Sequence, residues 1–114
     1  MIALVQRVSE ASVTVDGDVV GAIGSGFLVL LGIPRDATEA EAAWLARKVA
    51  TLRVFPDEEG RINRALLDRI EAGEQAGALV VSQFTLYGSL RKGTRPSYSH
   101  AAGPEVAEPL YERF

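Results

Sequence analysis

Polar side chains follow an apolar run in the second half of the sequence, directly after Val81. If the strand predicted there continues, Gln83 and Thr85 face one side of the sheet while Ser82 and Phe84 face the other. Polar groups at the end of a buried strand must find hydrogen-bond partners or line a cleft. The segment is therefore a candidate for chemistry. Satisfying neighbouring backbone at a sheet edge would explain the same pattern.

A basic loop follows this segment. Residues 91–100 hold three fixed positive charges, one histidine and one aromatic ring. Arginine and lysine can bind phosphate, and Tyr87 or Tyr98 could stack on a base. A solvated loop that keeps the protein soluble through its charge would have the same composition.

Several other kinds of site are disfavoured by composition. The sequence has no cysteine, which excludes thiol nucleophiles, thiolate zinc sites and disulfides. His100 is the only histidine, so no histidine-rich metal site is expected and it is the only possible imidazole base. No Gly-x-Ser-x-Gly pattern surrounds Ser82, so a serine-hydrolase triad has little support.

Length and charge limit the class of protein. A chain of 114 residues fits one domain, and 47% apolar residues are enough for a modest core. The net charge of −3 argues against nonspecific coating of nucleic acid, although it leaves room for a local basic patch. The first residues lack the pattern of a signal peptide, and we expect a cytoplasmic protein.

Strand patterns dominate the first third of the chain. Asp16-Gly17 separates two β-prone runs and predicts a hairpin with a type I′ turn. The run Phe27 to Leu31 has no polar alternation, which is typical of a strand covered on both faces. Short strands are also predicted at 3–8, 53–55 (ended by Pro56) and 78–81, the last of them buried.

Two helices are predicted with defined starts. Thr38 and Glu41 have the spacing of a capping box, and the helix is expected over residues 39–52 with Trp44 in the core. Gly103-Pro104 opens a second helix, which Pro109 should bend or delay. Residues 63–75 remain ambiguous between a helix and a surface excursion. The order of elements predicts a mixed α+β domain over residues 1–114 rather than a doubly wound sheet.

Several motifs together resemble the D-aminoacyl-tRNA deacylase family. They are the opening Met1 to Val8, Ala11 to Val15, Gly24 to Gly32, the Ser-Gln-Phe-Thr-Leu motif at 82–86, and Arg91 to Ser99 with Ala107 to Tyr111 after it. The motifs occur in the family's order and cover essentially the whole chain. The resemblance implies mostly antiparallel, barrel-like sheets flanked by two or three helices.

The resemblance also implies a function. Members of this family are homodimers that hydrolyse the ester between tRNA and a D-amino acid, or glycine mischarged on tRNA-Ala, in chiral proofreading of translation. They use no metal or organic cofactor. Their pocket holds the 3′-terminal adenosine with its aminoacyl group.

The residues of this pocket are expected at matching positions. The predicted catalytic residues are Ser82, Gln83, Phe84 and Thr85. The predicted substrate- and tRNA-binding residues are Arg7, Leu86, Tyr87, Arg91, Lys92, Arg95, Pro96, Ser97 and Tyr98. A backbone N–H of Phe84 or Thr85 would suit the ester oxyanion, and the 2′-hydroxyl of the tRNA is the favoured assistant over Thr85 as nucleophile.

One family motif is missing from the sequence. The family has a second signature near its carboxyl end, a Gly-Pro with a cis peptide bond that reaches into the partner's pocket and rejects L-amino acids. Gly103-Pro104 is not that motif, because it precedes a helix, and Arg7 matches a residue that holds the motif. A C-terminally truncated domain with impaired chiral editing is therefore expected. The alternatives are a non-catalytic tRNA-end-binding or dimerisation fragment, and a small-molecule esterase that uses Ser82 or Thr85 directly.

Overall fold

The structure, a computed structural model, describes residues 1–89, 91 and 93–114. Within these residues the chain forms seven strands, three α-helices and one 3-10 helix. The strands are β1 (Ile2–Val8), β2 (Ala11–Val15), β3 (Asp18–Ile23), β4 (Gly26–Gly32), β5 (Phe55–Pro56), β6 (Ile62–Arg64) and β7 (Gly77–Ser82). The helices are α1 (Glu39–Thr51), α2 (Leu66–Glu71), the 3-10 helix Phe84–Tyr87 and α3 (Pro104–Arg113).

Three separate sheets are formed. One has three strands in the order β1-β4-β7, and the antiparallel pairs β2-β3 and β5-β6 make the other two. The predicted α+β class with antiparallel pairing and flanking helices is confirmed. The strands that the structure describes close no barrel. No helix within the described ranges is long and apolar enough to cross a membrane.

The β2-β3 hairpin confirms its sequence signal. Asp16 and Gly17 have φ angles of 50° and 84°, as a type I′ turn requires at both central residues. Val15 pairs with Asp18 across the turn. A two-residue local pattern was therefore sufficient to place this element.

The central strand β4 is buried as predicted. Phe27, Val29 and Leu31 are fully buried. Its first residue, Gly26, has a φ angle of 150°, and a Cβ there would lie 1.8 Å from the carbonyl oxygen of Gly77. Only glycine allows the two backbones to approach so closely.

Strand β7 differs from its prediction as a buried strand. It is half-buried, and Ala78 is exposed. The strand lies at one end of the order β1-β4-β7, so one of its edges has no partner in that sheet. Apolar composition alone does not distinguish an edge strand from a central one.

Helix α1 begins at its predicted cap. The Glu41 N–H donates to Thr38 Oγ1 over 3.2 Å, and the Glu41 carboxylate lies 3.6 Å from the N-terminal ammonium of Met1. The prediction that Trp44 belongs to the core is wrong, because its side chain is 58% exposed. Trp44 is rotated by about 200° around the helix from Ala42, which is fully buried.

Helix α3 begins at Pro104 after Gly103, as predicted. Pro109 lies inside it, and the expected delay does not occur. Proline removes the donor to the carbonyl four residues earlier, here that of Glu105. Glu105 is exposed, so water can reach that carbonyl. An exposed position therefore reduces the cost of proline within a helix.

The region between α1 and β7 forms short elements. The strand expected at 53–55 is mostly wrong: Arg53 and Val54 lie outside any strand, and β5 consists of Phe55 and Pro56, so Pro56 belongs to the strand instead of ending it. Residues in the ambiguous segment 63–75 contribute to β6 and form α2. Proline is tolerated in β5 because its sheet has only two strands, so each is an edge.

The described chain divides into two compact units. Unit 1 comprises Met1–Leu4, Leu30–Ala46 and Val80–Phe114, and unit 2 comprises Val5–Val29 and Arg47–Leu79. The core of unit 1 is formed by four buried residues, Leu31, Ile33, Ala42 and Leu110. In unit 2 the rings of Phe27 and Phe55 pack with their centroids 4.9 Å apart.

Candidate functional site

The candidate site begins where β7 ends. Strand β7 stops at Ser82, and the N–H of Gln83 donates to the carbonyl oxygen of Leu31 over 2.8 Å. The chain then turns into the 3-10 helix Phe84–Tyr87. The predicted alternation of side chains across a continuing strand is therefore wrong.

Glycine at the end of β4 explains this turn. A Cβ on Gly32 would lie 3.0 Å from Leu86 Cβ and 3.1 Å from the ring of Tyr87. The 3-10 helix thus rests directly on backbone that carries no side chain. Leu86 and Tyr87 occupy the space beside Gly32 instead of extending β7.

The 3-10 helix fixes the groups of the sequence motif. Leu86 N–H donates to Gln83 oxygen over 3.4 Å, and Gly88 N–H donates to Thr85 oxygen over 3.0 Å. The side-chain amide of Gln83 donates to Thr85 Oγ1. The N–H groups of Phe84 and Thr85 lie in the first turn, where the i→i+3 pattern supplies no acceptor. Both can therefore donate to a ligand.

An apolar cavity of about 350 Å³ opens beside this motif. Its lining combines the motif with α3 and the residues before it: Ser82, Phe84, Ala102, Pro104, Ala107, Glu108 and Tyr111. The Tyr111 hydroxyl donates to Val80 oxygen over 2.7 Å and so links α3 to β7. Among the described lining residues, Glu108 alone is charged.

The α3 lining residues were not predicted individually. Pro104, Ala107, Glu108 and Tyr111 have the spacing i, i+3, i+4 and i+7, which places them on one face of a helix. This spacing was visible in the sequence, but its significance depends on which element the face meets. The motif's Thr85 lies outside the lining and is exposed.

The basic loop is closed by a backbone pair. Ser89 and Ser97 exchange two hydrogen bonds of 2.8 Å, and the ring of Tyr98 meets Phe84 edge-to-face with centroids 5.1 Å apart. The arginine and proline residues predicted to bind tRNA, Arg91, Arg95 and Pro96, are exposed. Lys92 lies outside the described residues.

A second cavity of about 620 Å³ lies in the same unit, and we call it the polar cavity because five of its six lining residues have polar or charged side-chain groups. It is lined by Pro34, Arg35, Asp36, Tyr87, Ser99 and His100. Burial raises the pKa of the Tyr87 phenol above its usual value, and the carboxylates of Glu41 and Asp36 raise it further. His100 lines this cavity and Ser82 lines the other, so their side chains form no serine–histidine pair in either cavity lining.

Arg7 belongs to unit 2, whereas the Ser-Gln-Phe-Thr motif belongs to unit 1. Its guanidinium donates to Val54 oxygen over 2.6 Å. Arg7 lines a cavity of about 490 Å³ together with Arg64, Arg69 and Glu74. These contacts do not test the predicted role of Arg7 in binding substrate and tRNA, which stays a prediction.

Unit 2 contains a network of paired charges. Arg64 and Arg69 both donate to the Glu74 carboxylate, and Arg69 also donates to Ser25 Oγ over 2.9 Å. The Arg64 hydrogen bond, followed by that from Arg69, holds the pKa of Glu74 below its usual value. The Arg69 guanidinium carbon lies 4.8 Å from the ring centroid of Phe55. Across the described part of the chain, no group of three or more histidine or acidic residues is placed to hold a metal ion.

Comparison with known proteins identifies the family. Residues 4–114 match the family model described as D-Tyr-tRNA(Tyr) deacylase. A protein of Roseiflexus castenholzii named D-aminoacyl-tRNA deacylase is 63% identical over 114 residues, which are 100% of this chain and 69% of that protein.

Two solved structures share the fold. The c-Myc DNA unwinding element binding protein is 43% identical, with a TM-score of 0.85, over 96% of this chain and 70% of that one. A probable eukaryotic D-amino acid tRNA deacylase is 21% identical, with a TM-score of 0.75, over 97% of this chain and 62% of that one, and this likeness shows the fold alone. The family match over nearly the whole chain shows that this protein belongs to the D-Tyr-tRNA(Tyr) deacylase family, whose members are hydrolases.

Proposed function

We propose that this chain hydrolyses the ester between a D-amino acid and the 3′-terminal adenosine of tRNA, releasing free tRNA and the amino acid. The observation that carries the proposal is the apolar cavity beside Ser82 and Phe84, in a chain whose family is described by this reaction. Its volume of about 350 Å³ suits one small ligand group. Ligand pockets are commonly apolar with a few convergent polar groups, as here.

The cavity offers distinct contacts to the two parts of the substrate. Phe84 is 56% exposed and can stack on the adenine, with Tyr98 supporting its ring from the edge. The Glu108 carboxylate is opposite in charge to the α-ammonium of the aminoacyl group. Together these contacts would hold the ester next to the Ser82 hydroxyl and the start of the 3-10 helix.

The proposed chemistry relies on positioning. Water attacks the ester carbonyl carbon, and the negative charge that develops on the carbonyl oxygen accepts hydrogen bonds from the N–H groups of Phe84 or Thr85. The bond to the ribose 3′-oxygen then breaks, and this oxygen takes up a proton. We assign this transfer to the neighbouring 2′-hydroxyl, which takes a proton from the attacking water as it gives its own to the 3′-oxygen. Gln83, bonded to Thr85 Oγ1 and to Leu31 oxygen, holds the turn in place. An aminoacyl ester is labile, so orientation and charge stabilisation can supply the rate.

The remaining predicted contacts extend this proposal. Arg91 and Arg95 are exposed and could bind backbone phosphates of the tRNA, and we propose the same role for Lys92. Glycyl-tRNA is proposed as a further substrate, because a cavity that accepts a D-side chain also accepts none. A homodimer, with Arg7 close to the partner's pocket, belongs to the same proposal.

Side-by-side deacylation of D-Tyr-tRNA and L-Tyr-tRNA tests the function, with Gly-tRNA-Ala as a third substrate. We expect loss of the D-Tyr and glycyl esters at rates well above spontaneous hydrolysis. Cleavage of both tyrosyl esters would show a deacylase without chiral discrimination. Retained tRNA binding without any hydrolysis would contradict the proposal and favour a tRNA-end-binding module.

Two further reagents separate the possible mechanisms. The variant Thr85→Ala removes the hydroxyl, and a D-Tyr-tRNA ending in 2′-deoxyadenosine removes the assisting group from the substrate. We expect Thr85→Ala to retain most activity and the deoxy substrate to react much more slowly. Normal reaction of the deoxy substrate together with an inactive Thr85→Ala would refute the 2′-hydroxyl mechanism.

A further inference from the structure

The polar cavity of unit 1 has no role in the function proposed above. Two stretches of chain form its walls, Pro34 to Asp36 on one side and Ser99-His100 on the other, and Tyr87 completes the lining. Its volume of about 620 Å³ exceeds that of the apolar cavity beside Ser82. It therefore has room for a ligand group of its own.

Hydrogen bonds tie the two walls together. The Arg35 N–H donates to His100 oxygen over 3.1 Å, and the Arg35 guanidinium donates to Ser99 oxygen over 2.6 Å. Nearby, the Ala102 N–H donates to Ile33 oxygen over 2.9 Å. The guanidinium has five N–H donors, and its bond to Ser99 uses one of them. The cavity is thus built in advance, with donors left for an anion.

Tyr87 gives the cavity a fixed aromatic surface. Its ring lies against Gly32, where an added Cβ would approach it to 3.1 Å. Tyr87 is half-buried, and a phenol is neutral at physiological pH. A neutral, supported ring can stack on a nucleobase and can also donate a hydrogen bond through its hydroxyl.

The two cavities share structural elements. Phe84 and Tyr87 are the first and last residues of the 3-10 helix; Phe84 lines the apolar cavity and Tyr87 the polar one. A 3-10 helix rises by roughly 2 Å per residue, so their Cα atoms are about 6 Å apart along its axis. His100 and Ala102, two residues apart in the chain, divide in the same way between the two cavities. The linings of the two cavities are therefore neighbours along both stretches of chain.

We infer that the polar cavity binds the nucleotide that precedes the terminal adenosine, and that it selects cytidine. Arg35 would bind the phosphate that joins the two nucleotides, Tyr87 would stack on the base, and the Asp36 carboxylate would accept a hydrogen bond from the cytosine amino group. Arginine is well suited to phosphate, and an acidic side chain reads the cytosine amine. The opposite charges of Arg35 and Asp36 favour a whole nucleotide over free phosphate. The inference rests on the proposed function and names a further part of the same substrate.

Non-hydrolysable probes test it on the intact chain. The first is 3′-amino-3′-deoxyadenosine carrying a D-alanyl amide; the second and third add a 5′-linked cytidylyl or uridylyl group. In calorimetric titrations we expect the cytidylyl probe to bind about tenfold more tightly than the adenosine probe, and the uridylyl probe to gain less.

Two variants test which residues cause the gain in affinity of the extended probes. Arg35→Gln should remove most of the advantage of both extended probes, and the isosteric Asp36→Asn should abolish the preference for cytidine over uridine. Arg113→Gln, an exposed arginine on α3 outside both cavities, is the matched control and should change neither.

The outcomes separate the two proposals. If the adenosine probe binds and added cytidine gains less than twofold, the nucleotide inference is wrong while the proposed function stands. A tenfold gain that neither Arg35→Gln nor Asp36→Asn alters would place the cytidine elsewhere and also refute the inference. If the adenosine probe does not bind, the proposed function fails and this inference fails with it.

Discussion

Two cavities of this protein can be compared as ligand sites, and the larger one is the less suitable. The larger, about 830 Å³, lies in unit 2 and is lined mainly by charged residues between Asp57 and Glu74. The apolar cavity of unit 1 has about 350 Å³ and contains one carboxylate, that of Glu108. By volume or by the number of titratable groups, the cavity of unit 2 would be chosen as the active site.

The hydrogen-bond partners of the polar groups favour the cavity of unit 1 instead. In unit 2, Arg64 donates to Glu74, and Asp57 Oδ1 accepts from the N–H groups of Glu59 and Arg61 over 2.9 Å each. Arg64, Glu74 and Asp57 thus already have partners within the protein. In unit 1 the first turn of the 3-10 helix presents donors without helical acceptors beside an apolar wall. Open hydrogen-bonding capacity next to an apolar surface is therefore the better indicator of a site.

Placing a larger side chain in each cavity should give the largest difference in activity between two variants. Ala107→Leu places a larger side chain in the apolar cavity, and we expect kcat/KM for D-Tyr-tRNA to fall by about a hundredfold or more, because displaced substrate loses its orientation. Ala72→Leu, the matched change in the cavity of unit 2, should leave kcat/KM unchanged. Equal effects of the two variants on kcat/KM would contradict the proposed difference between the two cavities. Thermal melting of both variants verifies that they fold.

Loosening the wall of the apolar cavity should have a smaller effect. Tyr111→Phe removes the 2.7 Å hydrogen bond to Val80 oxygen, at a cost of about 1 kcal/mol in the free energy of unfolding. Since this bond links α3 to β7, we expect KM for D-Tyr-tRNA to rise about fivefold with kcat nearly constant. Urea denaturation and steady-state kinetics measure the two quantities. Lost stability with an unchanged KM would show that the link matters for folding alone.

Local signals in the sequence predicted much of the fold. The Asp16-Gly17 turn and the start of α3 at Pro104 were placed correctly because each depends on backbone preferences of one or two residues. The burial of β4 followed from an uninterrupted apolar run. Trp44 was misplaced because a large apolar side chain beside the buried stripe of a helix gives no indication of which face is covered.

The candidate site was predictable only in part. The motif at 82–86 was singled out, yet its conversion into a 3-10 helix depends on Gly32, fifty residues earlier in the chain. The opposite wall comes from α3, and Glu108 enters the site only when that helix packs beside Ser82. Long-range packing of this kind has no signature in local periodicity. The roles of the motif residues and of the basic loop remain predictions.

The charge network of unit 2 should reveal itself in stability at acid pH. Glu74 has a lowered pKa in the folded state, so it contributes stability above its unfolded value near 4.5, and this contribution is lost as the pH falls through the lower folded value. Glu74→Gln should therefore melt below the wild type at pH 7, and the difference should shrink to nothing in strong acid. Deacylation should be unaffected. A difference in melting temperature that is independent of pH would show that the carboxylate charge is not what Arg64 and Arg69 require.

The smallest predicted effect is on stability at alkaline pH, and it comes from Tyr87 in unit 1. The folded pKa of Tyr87 lies above its usual value of 10.0, since burial and the carboxylates of Glu41 and Asp36 disfavour the phenolate. The unfolded chain therefore loses this proton first, and wild-type stability should decline as the pH rises above 10.0. Tyr87→Phe keeps the ring and removes the hydroxyl, so its stability should decline less over the same interval. Parallel urea-unfolding curves between pH 9 and about 11.5 would show that Tyr87 is as well solvated in the folded protein as in the unfolded chain.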